Sequence, residues 1–314
     1  MPATGSASRP LDLPEVEEDA AGDFMRTQSR VTPYLFILPA LLGLIAFRIA
    51  PIGVSLVGSL TGQTLMGETR FVWLKNYLDL VANPAFWSSL GLTLIFNLLI
   101  NPFQIAVALA LALLVFRRTR GIDLIRTTYF LPMTVSIGVA SILWNLLLDP
   151  SLGLVNGIFR KLGIPPQPFF TGASQAMPSL IWLATWKGVG YWMIFLLAGL
   201  NDIPHLLYEA AEIDGARSFA RFRYITLPLM KRPIAFVLVA DTVANFLFFA
   251  PVYLITRGGP MGATNLLMFT AYQSAFTYGN MGRSLAISTT ILLIIAAFAC
   301  VELKFFRAEE QSYG

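Results

Sequence analysis

The sequence holds one cysteine, Cys300, and one histidine, His205, in 314 residues. A single thiol in an apolar run excludes both a disulfide within the chain and a cysteine metal site. The lone histidine excludes a multi-histidine metal centre and a histidine proton relay, and it reads as a polar residue in the first turn of a helix. Charge is also scarce, at 13% of residues. None of Lys75, Lys161, Lys187, Lys231 and Lys304 follows a glycine or precedes a serine or threonine, as the phosphate-binding loop GxxxxGK[ST] demands. The chain is therefore no P-loop ATPase, and it offers no nucleophile, base or metal cluster that would make it a membrane enzyme.

What it has in abundance is apolar sequence, 56% of residues, which marks a polytopic membrane protein. A hydrocarbon core of about 30 Å takes about 20 helical residues to cross. Six segments meet that length, near 33–58, 88–115, 127–148, 179–200, 233–256 and 283–304, so the fold class is all-α with six transmembrane helices. Pro51 and Pro102 fall inside the first two, where neighbouring helices can satisfy the freed backbone groups.

Of the 22 basic residues, fourteen fall on the side of both termini and of the loop 201–232, six on the other side, and Arg48 and Lys187 lie inside segments. The positive-inside rule then places both termini and that loop in the cytoplasm. Most of the net charge of +4 has this topological meaning, so no nucleic-acid partner is implied. Residues 1–30 read as a disordered acidic tail and no signal peptide. Residues 31–307 form the membrane domain, and 308–314 a short cytoplasmic tail. The outer connections 61–87 and 149–178 can either touch an external protein or cap helix ends.

The loop 201–232 carries the most specific pattern. Asp202 can cap, Pro204 suits a first helical turn, Leu206 to Ile213 reads as a short helix, and Gly215 supplies a left-handed turn. A second helical phrase places Phe219, Phe222 and Ile225 at intervals of three until Pro228 stops it.

The spelling Glu209-Ala210-Ala211, Asp214-Gly215-Ala216 and Ile225-Thr226-Leu227-Pro228 resembles the EAA loop of inner-membrane permease subunits of binding-protein-dependent ABC importers, carbohydrate type. The resemblance continues through LPMTVSIGVASILW (131–144), WKGVGYWMIFLLAGLNDIP (186–204) and the block 253–288, and covers about residues 32 to 306. One departure is Arg283, where the family more often has a small residue. The resemblance implies a type I importer fold in the bacterial inner membrane, with Glu209 to Ala216 forming a coupling helix seated in a groove of a cytoplasmic ATPase. It also implies two such ATPase subunits that hold the ATP and Mg, a second and different permease subunit, an extracytoplasmic solute-binding protein and a sugar-like solute. No cofactor belongs to this chain.

A solute pathway needs polar and aromatic groups facing the bundle interior. The candidates are Trp144, Asn145, Trp186, Tyr191, Asn245, Phe249 and Ser288; such groups also serve as glue between helices. Three charges lie at membrane depth, Arg48 about 22 Å, Lys187 about 18 Å and Asp241 about 12 Å from the cytoplasmic side, at 1.5 Å per residue. An unpaired charge there is costly, so Asp241 is expected to pair with Lys187 or Arg48. Importers of a polyamine, phosphate or phosphonate, and an ATP-independent carrier or channel, remain as alternatives; neither an inverted repeat nor an acidic relay supports the carrier.

Overall fold

The computed structural model describes residues 32–64, 67, 69–116 and 121–310. Among these the chain is helical, with two isolated β-bridges, Thr61–Phe71 and Thr64–Asn280, and no strand. It divides into two units, the first ending at Val54 and the second running from Ser55 to Gly314.

The first span is Tyr34–Gly58, built from α1 (Thr32–Leu44), a π-turn (Ile45–Ile49) and α2 (Ala50–Gly58). Pro51 follows the π-turn by two residues. A proline has no N–H for the carbonyl four residues before it, and a widened turn re-registers the helix around the orphaned group. Arg48 lies within that turn and is exposed.

In the second unit α3 (Lys75–Val81) leads into α4 (Pro84–Phe116), a span that carries Pro102 without breaking. Next come α5 (Ile122–Thr134) and α6 (Ile137–Leu147), then α7 (Leu154–Lys161) and the span α8 (Ala176–Asn201). Two short helices, α9 (His205–Ile213) and α10 (Ser218–Arg221), precede α11 (Lys231–Phe246). The chain closes with α12 (Leu267–Tyr272) and the long α13 (Met281–Glu310).

Two of the six predicted spans are broken. The segment 127–148 is broken between α5 and α6 with a bend of 104°, because Val135 and Ser136 are extended, with ψ of 134° and 139°. The segment 233–256 is interrupted after Phe246. A 16-residue α11 ends there, and helical turns resume at Ala250 and run into a π-turn, Val252–Thr256. Among the described residues four helices are long and apolar enough to cross a membrane, or five if the bent pair counts as one.

Small residues let the spans approach. A side chain at Gly190 on α8 would run into the backbone carbonyl of Tyr129 on α5, one at Gly188 into the Gln104 amide of α4, and one at Gly199 into the ring of Pro233 on α11. This is the close helix contact that dispersion and lipid release favour in membranes. The core under the loop 201–232 gathers Ala108, Ala112, Val115, Met193, Leu196, Leu200, Ile203 and Met230. A second cluster around Phe96, Leu180 and Phe269 and a third around Leu80, Phe86 and Ile287 fill the rest.

Candidate coupling surface and solute pathway

Helix α9 begins immediately after Pro204, which stands at the N-cap in an extended conformation; no side chain caps the helix there, and Asp202 instead ends α8. The C-terminus is closed by the backbone: Ala216 N–H donates to Ala211 O at 2.8 Å and Gly215 N–H to Glu212 O at 3.0 Å. Gly215 sits at φ +77°, a left-handed conformation that glycine adopts without steric cost.

The return stroke is α10, a π-turn Phe222–Thr226 and a helical turn Leu227–Leu229. Pro228 again follows a π-turn by two residues, so it re-registers the helix and does not stop it; Met230 N–H still donates to Thr226 O at 2.9 Å. The hairpin is held to itself by the Tyr208 and Thr226 hydroxyls at 2.9 Å, with Thr226 buried. A surface pair, Arg221 to Glu212 at 3.3 Å, adds little in high dielectric. Ile203 and Met230 root both ends in the core, and Tyr208 and Ile225 pack on the same cluster.

Outside that anchorage the hairpin is bare. Glu209, Ala210, Asp214 and Gly215 are exposed, and Ala211 and Ala216 are half-buried. Four large apolar side chains accompany them: Leu206 is 75% exposed, Ile213 87%, Phe219 76% and Tyr224 77%. Apolar groups clustered on a loop this polar suit contact with a protein or a membrane surface.

The pathway candidates separate into groups. Trp144 on α6 and Trp186 on α8 meet with ring centroids 5.6 Å apart. Phe249 stacks with Tyr253 at 5.4 Å and lies 5.1 Å from Tyr272. Tyr191 joins Trp192 and Phe195, at 4.8 and 4.9 Å. Asn145 is exposed and Ser288 half-buried. Asn245 is buried and donates to Asn101 Oδ1 at 2.8 Å; Asn101 in turn donates to Thr242 Oγ1 at 2.8 Å, and Thr242 to Glu302 Oε1 at 3.1 Å.

The charges at depth take other partners than expected. Asp241, 1% exposed, accepts from Trp192 Nε1 at 2.7 Å. Lys187 donates to Met133 O at 2.9 Å. Met133 is in the last turn of α5, where the break leaves carbonyls without helical donors, so the ammonium caps the broken end and lies favourably against its dipole. A Lys187–Asp241 ion pair is absent.

Sequence reasoning passed over Asn101, Gln104, Thr242, Trp192 and Glu302. The signal was present in the spacing Asn97, Asn101, Gln104, one face of α4, and Asp241, Thr242, Asn245, one face of α11. All six are buried.

Comparison with known proteins decides the kinship. The profile of the family described as binding-protein-dependent transport system inner membrane component matches residues 27–303. The chain belongs to this family. The permease is 34% identical over 279 residues to the sn-glycerol-3-phosphate transport system permease protein UgpA of Agrobacterium fabrum, covering 88% of this chain and 95% of that one. It is 33% identical over 275 residues to the trehalose/maltose transport system permease protein MalF of Thermococcus litoralis, covering 87% and 93%. Its fold is shared with a chain of a bacterial ABC transporter involved in the import of the acidic polysaccharide alginate, at TM-score 0.76 and 22% identity over 93% of this chain and 99% of that one. The permease is thus a multi-pass inner-membrane component of a transport system and not its catalytic subunit, with a helical type I importer fold.

Proposed function

We propose that this permease is a transmembrane subunit of an ATP-driven importer for a sugar or sugar-like solute, and that α9 is its coupling helix. The observation that carries the reading is the bare, apolar-studded hairpin of Glu209 to Ala216, rooted through Ile203 and Met230 in the core between α8 and α11. A rigid hairpin so anchored passes a push on its exposed face directly to two spans. The solutes in the relatives' names, sn-glycerol-3-phosphate, trehalose and maltose, support the solute class, and a similar fold occurs in an alginate transporter in complex with a periplasmic protein that holds an alginate pentasaccharide.

In this reading six segments cross the membrane, α11 with Val252–Thr256 forming the fifth, and both termini are cytoplasmic. A second, non-identical permease completes the pathway, an extracytoplasmic binding protein delivers solute, and two cytoplasmic ATPase subunits hold ATP and Mg. ATP binding closes the ATPase pair and draws the two coupling helices together, favouring the outward-open bundle; hydrolysis resets it. Each ligand shifts the bundle only by its differential affinity for the two states. Trp186, Tyr191 and Phe249 supply faces for sugar C–H surfaces, and Asn145 and Ser288 supply hydrogen bonds.

The test is ATPase activity of the reconstituted complex, co-expressed with its neighbouring ATPase and binding-protein genes. Solute should stimulate hydrolysis in wild type, and Ile213→Asp, which puts a charge in the docking face, should abolish the stimulation while the permease still folds. Absence of any co-purifying ATPase would overturn the reading.

A further inference from the structure

We propose that the cavity between α6, the start of α8 and the segment 149–175 is an outer subsite for a neutral sugar ring. This rests on the importer reading and adds a location and a charge class to it.

The cavity measures about 500 Å³, within the roughly 300–1,000 Å³ of small-molecule sites. Its walls include the rings of Trp144, Trp182 and Phe169, and Gln167, Gln175 and Ser179 supply its polar groups. Aromatic faces with a few amides and a hydroxyl are the chemistry that receives a sugar, whose C–H face is apolar and whose edge is hydroxylated.

The site is built and held. Phe169 has φ +43°, a strained conformation for an aromatic residue that persists only where its surroundings enforce it. The enforcement is a chain of hydrogen bonds: Phe169 N–H donates to Gln175 Oε1 at 2.9 Å, and Gln175 Nε2 donates to Gln167 Oε1 at 2.7 Å. The fully buried Asn156 clamps Gln167, accepting from its N–H and donating to its carbonyl, each at 2.8 Å. Gln167 Nε2 donates once, to Pro165 O at 3.0 Å. An amide nitrogen carries two hydrogens, so Gln167 and Gln175 each have one that these bonds do not use.

The charge class follows from the lining. None of the ten lining residues is charged. The start of α8 offers an anion little, since Ala176 N–H is taken by Gly172 O at 2.8 Å and Pro178 has no N–H. A phosphate or carboxylate would be desolvated there without a partner, whereas hydroxyls would be satisfied. Trp182 is 59% exposed, so its ring is open at the cavity's edge.

The test uses the complete importer complex in lipid nanodiscs, its tryptophan emission titrated with glucose, galactose, maltose, trehalose and cellobiose and with the anions sn-glycerol-3-phosphate and galacturonate. At least one neutral sugar should quench saturably and neither anion should. Trp182→Ala should weaken that sugar about tenfold, the loss of one stacked face. Trp182→Phe should retain it, and Trp73→Phe should leave it unchanged. Quenching by no neutral sugar, quenching by an anion, or indifference to Trp182→Ala overturns the subsite. So does a lipid retained in wild type and lost in Trp182→Ala on native mass spectrometry. If sugar still stimulates ATP hydrolysis in Trp182→Ala with unchanged half-saturation, the subsite falls while the importer reading stands. If no ATPase associates, the importer reading falls by itself.

Discussion

Asp241 and Lys187 are each tied to a group with no other partner among the described residues, and this governs what their loss does. Interhelical hydrogen bonds in membrane bundles average about 0.6 kcal/mol, but deleting one partner also leaves the other desolvated and unpaired, at about 1–3 kcal/mol. Asp241→Ala strands the Trp192 indole N–H, so the melting temperature of the purified permease should fall, and Asp241→Asn, which keeps an acceptor, should recover most of it. Exchanging the charges, Lys187→Asp with Asp241→Lys, should not rescue either single change, because Lys187 serves Met133 O and Asp241 serves Trp192. The sequence marked both residues as costly at depth. It could not assign their partners, because a main-chain carbonyl freed by a break and an indole N–H carry no charge to pattern against.

Asp149 is the residue whose titration bears on the connection between α6 and α7. Backbone N–H groups of Leu152 and then Ser151 donate to its carboxylate and hold its pKa below the ordinary 3.8. A carboxylate with a depressed folded pKa stabilises the fold above its unfolded pKa and loses that contribution as pH falls through the folded value. Amide exchange at Ser151 and Leu152 should therefore follow only the usual chemical pH dependence from pH 7 down to about 4, where unfolded aspartate begins to protonate. Extra opening should emerge below that. Asp149→Ala should show the extra opening at every pH.

At the scale of elements, three features follow from single residues. Gly190 permits α8 to lie against the α5 backbone, so Gly190→Val should separate them and sharply lower the yield of folded protein, measured by size-exclusion chromatography in detergent. Gly215→Ala forces a Cβ into a left-handed turn at about 1–2 kcal/mol; nothing crowds that position, so the protein should stay folded while protease sensitivity at the loop rises. The short helix ending near Ile213 was legible because a proline and a glycine bracket an apolar-periodic run. The π-turns before Pro51 and Pro228 were less legible: proline announces a lost hydrogen bond, but whether the helix ends or widens depends on what packs around it. The 104° break at Val135–Ser136 carried no sequence signal, for Pro132 three residues earlier sits inside α5 undisturbed.

For the whole molecule the topology turns on the fifth segment. Helix α11 has 16 residues, about 24 Å at 1.5 Å per residue, short of the roughly 30 Å core; to cross, the segment needs the π-turn Val252–Thr256 after the break as well. If it crosses, the side of the membrane must alternate at three exposed positions, Leu152 after α6, Ile213 after α8 and Met261 after the fifth segment, which are 92%, 87% and 92% exposed. In a Cys300→Ser background, single cysteines at these positions can be labelled in right-side-out vesicles with a membrane-impermeant maleimide. Leu152→Cys and Met261→Cys should react from outside, and Ile213→Cys only after the membrane is opened. A fifth segment that dips in and returns would put Met261→Cys with Ile213→Cys on the inside, and α13 would then have to begin there. It would run outward and carry Lys304 beyond the outer face, against the orientation that the positive-inside rule predicts for the rest of the chain. Labelling of Met261→Cys from outside would therefore fix the six-segment count and the sidedness of the carboxyl terminus in one measurement.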